Sequence, residues 1–207
     1  MNFSFGEFRS LTATAFRGAG YSWGLTEDAA YASMRLAEFD IDAGAAVARL
    51  LTRSDGVDKV ELMPTMKWES VGDMLCPICV GTAIIDLGVC PDVPLRNLIE
   101  PILLAPFLLS MAESESGSGG YLMQWQGGYC EISQLGISLE GAVPEQGADI
   151  TITEQSPSPS LDLVRSYRVE LDVETEEVLH TFAYRTYAPA TKESRLTGAG
   201  AGLLDED

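Results

Sequence analysis

Apolar positions in the N-terminal part of the chain recur at helical spacing. Ser4-Phe5-Gly6-Glu7 has the form of a capping box, in which the serine oxygen accepts from an orphan amide and Glu7 reaches back. Phe8, Leu11, Ala15 and Phe16 then fall on one face, and Gly18 and Gly20 predict the end of that helix. Thr26 is the expected N-cap of a second helix with Ala29, Ala30, Ser33, Leu36 and Ala37 on one side. Asp42 is expected to cap a third, which buries Val47, Leu50 and Leu51. Residues 4–53 therefore read as a helical hairpin plus one further helix.

The period changes after the turn signal Ser54-Asp55-Gly56. Residues 57–112 read as a mixed part. Val57 to Trp68 is strand-like, with Val60, Leu62, Met66 and Trp68 as its apolar positions. Leu75 to Leu87 is a short apolar run, read as a buried strand from Val80 onward. Pro91 and Pro94 mark a loop, and Leu95 to Ala112 reads as a buried helix with a kink at Pro106. Glu113 to Gly120 is a low-complexity surface loop. Residues 120–173 are β-rich. A hairpin runs through Tyr121–Trp125, Gln126-Gly127-Gly128 and Tyr129–Ser133, and further strands are expected at Leu135–Leu139, Asp149–Thr153 and Ser166–Val173. Residues 175–207 are a helix with Val178, Leu179, Phe182 and Ala183 inward, closed by Pro189, and then a glycine-rich tail. The order is not a regular βαβ alternation. It predicts one α+β unit, with N-terminal helices packed on a mostly antiparallel sheet.

Charge narrows the partners. The 207 residues carry 31 acidic against 13 basic side chains, a net charge of −18. Such a field repels phosphate backbones and anionic lipid surfaces, so neither nucleic acid nor membrane is an expected partner. The most apolar run, Ile99 to Ala112, is shorter than a membrane helix needs and is interrupted by Pro101 and Pro106. No basic, apolar leader opens the chain, and a cytoplasmic setting is expected. The thiols of Cys76, Cys79, Cys90 and Cys130 are then reduced by default.

The candidate chemistry is sparse. Cys76-Pro77-Ile78-Cys79 has the spacing of a redox pair, but such a pair normally follows a strand and opens a helix. Here the upstream Glu69 to Asp73 is polar and turn-like, so buried apolar cysteines are the expected reading. No second close ligand pair accompanies them, and no metal and no cofactor are expected. His180 is the only histidine, placed mid-helix, and no nucleophile elbow or phosphate loop occurs.

The tail holds the densest set of donors. Gly198, Gly200 and Gly202 permit a nest of amides, Arg195 adds a planar guanidinium, and Tyr187, Thr191 and Ser194 add hydroxyls. Together they suggest a site for a small anionic or polar metabolite. A frayed helix end and a tail docked on a partner subunit, as in a homo-oligomer, remain open for the same residues. Asp86 is a further candidate ligand, either a functional carboxylate at a strand end or a turn initiator before Leu87-Gly88. The chain thus reads first as a metabolite-binding protein. The alternatives are an accessory subunit whose tail contacts a partner, and a carboxylate enzyme pairing Asp86 with an acid among Asp205-Glu206-Asp207.

Three stretches together carry a family likeness: Arg17-Gly18-Ala19-Gly20-Tyr21-Ser22-Trp23-Gly24-Leu25; Cys76-Pro77 with Gly81 and Asp86; and Thr186 to Thr191 with Ser194-Arg195 and the glycines. They resemble an uncharacterised bacterial family, domain of unknown function 3726. The resemblance spans most of the chain and implies no activity and no catalytic residues. The N-terminal helices are also similar to those of non-Rossmann malate/L-lactate dehydrogenases. Those enzymes carry Ser-His-Gly soon after the second helix, where this chain has Phe39-Asp40-Ile41-Asp42-Ala43-Gly44 and no histidine. That likeness implies shared helix packing without shared chemistry.

Overall fold

The structure, a computed structural model, describes residues 1–114, 119–144, 146–156 and 164–187. A short strand β1 (Asn2–Phe3) leads into α1 (Phe5–Gly18), whose capping box forms as the sequence predicts: Glu7 N–H donates to the Ser4 hydroxyl, and the Ser4 amide donates to the Glu7 carboxylate. Helix α2 (Trp23–Ala37) is capped by Ser22 instead of Thr26. The Ser22 hydroxyl accepts from the Leu25 amide, so the helix starts a turn earlier and Thr26 is buried inside it. Asp42 caps α3 (Ala43–Arg53) by accepting from the Ala45 amide, and Val47, Leu50 and Leu51 are buried as expected.

The mixed part departs furthest from the sequence reading. Val57 to Trp68 is not a strand. It holds one 3₁₀ turn, Lys59–Leu62, capped by Asp58, and then a loop. Its apolar residues do not share a face: Leu62 is buried, while Val60 and Met66 are exposed. The run expected to form a strand from Val80 is helix α4 (Pro77–Leu87). Pro77 occupies its first turn, and Gly88 ends it in the left-handed conformation at φ 66°, the two ends that favour helix over strand. Leu95 to Ala112 is not one helix. It divides into strand β2 (Leu95–Leu98), a 3₁₀ turn (Pro101–Leu104) and α5 (Ala105–Glu113). The break falls at Glu100, which is left-handed at φ 43°, and Pro106 sits in the first turn of α5 without kinking a longer helix.

The β-rich part supplies β3 (Gly120–Trp125), β4 (Gly128–Ser133), β5 (Gly136–Gly141) and β6 (Ala148–Gln155). With β2 they form an antiparallel sheet in the order β2-β6-β3-β4-β5. Gly127, at φ 93°, makes the tight turn of the predicted hairpin. Ser166 to Val173 contributes only β7 (Val169–Glu170), paired antiparallel with β1. Helix α6 (Val173–Tyr184) is capped by Asp172, slightly ahead of the expected start.

These elements make an α+β unit with helices first and sheet later. Met123, Cys130, Ile132, Ile137 and Ile150 are buried while Gln124 and Thr151 are exposed, so the sheet is apolar on one face. Helix α5 lies against β3, β4 and β5 and also contacts α2 and α4, while α6 packs on α1 and α3. Among the described residues no helix is long and apolar enough to cross a membrane.

The α1–α6 contact depends on Gly18. A Cβ there would lie 1.7 Å from the Phe182 carbonyl oxygen, whereas a Cβ at Gly24 in α2 meets nothing within 4 Å. Gly18→Ala is therefore expected to destabilise the protein by about 1–3 kcal/mol through overpacking. Gly24→Ala is expected to stabilise it by about 0.5 kcal/mol through lost unfolded-state freedom. Thermal unfolding of the two variants should show opposite shifts in Tm.

Candidate functional site

The residues singled out by sequence do not converge. Asp86 is exposed in the last turn of α4 and borders a small cavity of about 220 Å³ with Asp28, Thr82 and Phe107. Tyr187 is exposed just beyond α6, its ring 5.8 Å from that of Tyr184, beside a different depression lined by Glu7 and His180. His180 itself is half-exposed on α6, 3.8 Å from the Glu176 carboxylate. Thr191, Ser194, Arg195, Gly198, Gly200 and Gly202 lie outside the described residues, as do Asp205, Glu206 and Asp207. Among the described residues no group of three or more metal-ligating side chains forms.

A different set converges. Glu100 is fully buried, and the Arg49 guanidinium meets it in two parallel bonds, Nε to Oε1 at 3.0 Å and Nη2 to Oε2 at 2.8 Å. This fork-to-fork geometry is the strongest form of the pair and holds the guanidinium plane in one orientation. The pair joins α3 to the turn that leads into α5. Arg49 is about one-third exposed, and its outer side lines a cleft of about 470 Å³. Apolar walls come from Ile102 and from Ile137 and Leu139 of β5. The α2–α3 connection supplies Asp40 and Asp42, both exposed. Asp42 is committed to the α3 N-terminus; Asp40 caps no helix among the described residues and sits at φ 57°.

Backbone strain marks the same place. Four non-glycine residues have positive φ among the described residues: Asp40, Trp68, Asn97 and Glu100. Asp and Asn tolerate this conformation, but for Glu it costs on the order of 1–3 kcal/mol and persists only where the surroundings enforce it. Two of the four, Asp40 and Glu100, belong to the cleft and to the pair that builds it. The sequence reading assigned no role to Arg49, Glu100 or Asp40. A signal for Glu100 was present, since it is the single charge between Arg96 and Glu113 in an otherwise apolar stretch. A lone charge there must be paired or expelled.

The Cys76–Cys79 pair also stands differently from the sequence reading. Leu75 makes a parallel bridge to Leu98 of β2, Cys76 is the N-cap residue of α4, and Cys79 is in its first turn. The motif therefore does follow a strand-like contact and open a helix. Both sulfurs are buried, as expected of apolar cysteines, and all four cysteines are free thiols.

Residues 3–76 match the model of a family described as protein of unknown function, DUF3726. The resemblance read from the sequence is thereby supported over the N-terminal helices and the loop up to Cys76; the stretches beyond lie outside the match. No curated protein and no solved structure matches the chain.

Removing one member of the buried pair leaves the other charge desolvated. Arg49→Ala is expected to destabilise the fold by about 3–5 kcal/mol, and replacing both with Arg49→Met and Glu100→Leu to restore most of that loss. Urea unfolding of the single and double variants checks this.

Proposed function

We propose that the protein is a bacterial, cytoplasmic binding protein for a small polar metabolite, seated in the cleft between the α2–α3 connection and β5. The observation that carries this reading is the guanidinium of Arg49, locked by a buried carboxylate and presented at the wall of a cleft of about 470 Å³. That volume falls within the range of small-molecule pockets, and a preorganised donor loses little entropy on binding. The cytoplasmic setting is the sequence expectation, and the four free thiols agree with it.

Charge narrows the ligand. Glu100 already offsets the charge of Arg49, and Asp40 and Asp42 make the cleft acidic within a protein of net charge −18. A purely anionic metabolite is disfavoured there. A ligand with both a carboxylate and an ammonium fits: the carboxylate faces Arg49, the ammonium faces Asp40, and a short apolar body meets Ile102, Ile137 and Leu139. An apolar α-amino acid has this chemistry. The tail could add donors only from residues outside the described ones, and the accessory-subunit reading rests on those same residues.

Isothermal titration with L-leucine, succinate and putrescine separates zwitterion, anion and cation. Wild type is expected to bind leucine and neither of the others. Asp40→Asn keeps a residue that tolerates φ above zero, so Tm should not fall. Loss of one charge-assisted contact, worth about 1.5–3 kcal/mol, should weaken leucine binding by about tenfold or more. Equal leucine binding by both proteins, or none by either, contradicts the reading.

A further inference from the structure

The geometry points to a second site of chemistry outside the cleft: Cys76 and Cys79 form a peroxide-oxidisable dithiol, in which Cys76 is the attacked sulfur and Cys79 resolves it to a disulfide. Four features of the fold converge on these sulfurs.

First, Cys76 is the N-cap residue of α4, and its sulfur lies at the helix start, where the backbone of Ile78 and Cys79 favours its ionised form. The open amides of a helix N-terminus favour a thiolate. Second, the Tyr21 hydroxyl, itself buried, lies 3.5 Å from the Cys76 sulfur and 3.4 Å from the Ser54 hydroxyl. Tyr21 is held in place by an edge-on contact with Phe16, ring centres 5.0 Å apart, and by Arg17 donating to its carbonyl. Third, Lys59 is half-buried with its ammonium 5.0 Å from the Tyr21 ring centre, and its positive charge acts on both cysteines. Fourth, Cys79 follows by one helical turn. Residues at that spacing have their β-carbons about 5–6 Å apart on a helix and need only a small adjustment at its first turn to reach disulfide distance.

Burial and hydrogen bonding oppose one another at Cys76. Burial pushes its thiol up, but hydrogen bonds from the Cys79 thiol, the Tyr21 hydroxyl and the Cys79 and Ile78 amides outweigh it and bring it down to about 7. Cys79 is pushed up, because its proton is held in the bond to Cys76 and because it is buried. The two sulfurs thus divide into nucleophile and proton holder. Asp55 and Asp58 lie near Lys59 and support its charge.

Access selects the oxidant. Both sulfurs are at most 2% exposed, so a bulky disulfide does not reach them. Hydrogen peroxide is little larger than water. The segment in contact with the motif, residues 57–74, has one 3₁₀ turn as its only helix, and Leu62 accepts the Cys76 amide. Such a segment opens locally at low free-energy cost.

In the first step the Cys76 thiolate attacks one peroxide oxygen and the O–O bond breaks. The departing hydroxide takes a proton to become water, leaving a sulfenic acid on Cys76. In the second step the Cys79 sulfur attacks the Cys76 sulfur and the S–O bond breaks. The hydroxyl leaves as water with the proton from Cys79. Peroxide is reduced by two electrons and the dithiol is oxidised by two. A small dithiol reductant reverses the outcome by exchange.

The test treats the intact chain with hydrogen peroxide and maps the products by peptide mass spectrometry. Wild type should yield a Cys76–Cys79 disulfide, reversed by dithiothreitol, before Cys90 or Cys130 reacts. Cys79→Ser should trap a dimedone-reactive sulfenic acid on Cys76, and Cys76→Ser should leave Cys79 unmodified. The rate for wild type should rise with pH and be half-maximal near 7, against about 8.5 for an ordinary thiol. Tyr21→Phe keeps the ring contact with Phe16 but removes the hydroxyl. It should slow the reaction at neutral pH by about threefold or more while the limiting rate at high pH is kept, a split that a purely structural role would not produce. Oxidation of Cys90 ahead of the pair, or a Cys76 rate indifferent to Tyr21→Phe, overturns the proposal.

Discussion

The buried pair between Arg49 and Glu100 is the constraint on which the rest of the structure turns. It fastens α3, in the N-terminal helical layer, to the residue between β2 and the 3₁₀ turn that leads into α5. From there the chain enters its most apolar segment, where Ile102, Leu103, Leu104, Leu108 and Leu109 are buried against sheet and helices alike. A carboxylate with no exposure is tolerated in such surroundings because it is paired, both oxygens being met by the guanidinium. The left-handed backbone at Glu100 follows from the same demand. It turns the carboxylate back toward α3 while Pro101 starts the next turn, and an unpaired Glu would have no reason to bear that strain. One interaction thereby sets how the helical layer meets the α5 segment, and sets the Arg49 plane at the cleft wall.

How legible this was in the sequence depended on whether the signal was local. The Ser4–Glu7 capping box, the Asp42 cap and the turn at Gly127 are satisfied within a few residues, and each forms as expected. The alternation of Ile150 and Ile152 likewise reports a half-buried strand. Short apolar runs carry no such marker. Leu75 to Leu87 suits a buried strand or a buried helix equally, and Pro77 and Gly88 at its two ends are what decide for helix. Leu95 to Ala112 reads as continuous because apolar residues fill it, yet Leu95 and Leu98 pair with Ile150 and Ala148 of β6, which makes its start an edge strand.

The site was less legible than the fold for the same reason. Arg49 and Glu100 are fifty-one positions apart, and nothing in either neighbourhood names the other. Asp40 beside Asp42 looks like an ordinary approach to a helix cap, and its positive φ is visible only in the folded chain. Cys76 and Cys79 read as buried apolar cysteines in the sequence because the residues before them are polar. The strand contact they require is made by Leu75 alone, with Leu98 as its distant partner. In each case the chemistry is assembled by tertiary contact from residues that are unremarkable in sequence.

The central claim is that the Arg49 guanidinium is a fixed, partly buried donor at the wall of a ligand cleft. Arginine side-chain NMR measures this directly through the Nε–H resonance of Arg49. The account predicts that the Arg49 signal, identified by its absence in Arg49→Lys, shows slow hydrogen exchange and that its chemical shift moves on titration with L-leucine. An Arg49 signal that exchanges as fast as those of exposed arginines, or that stays unmoved at saturating ligand, would contradict it.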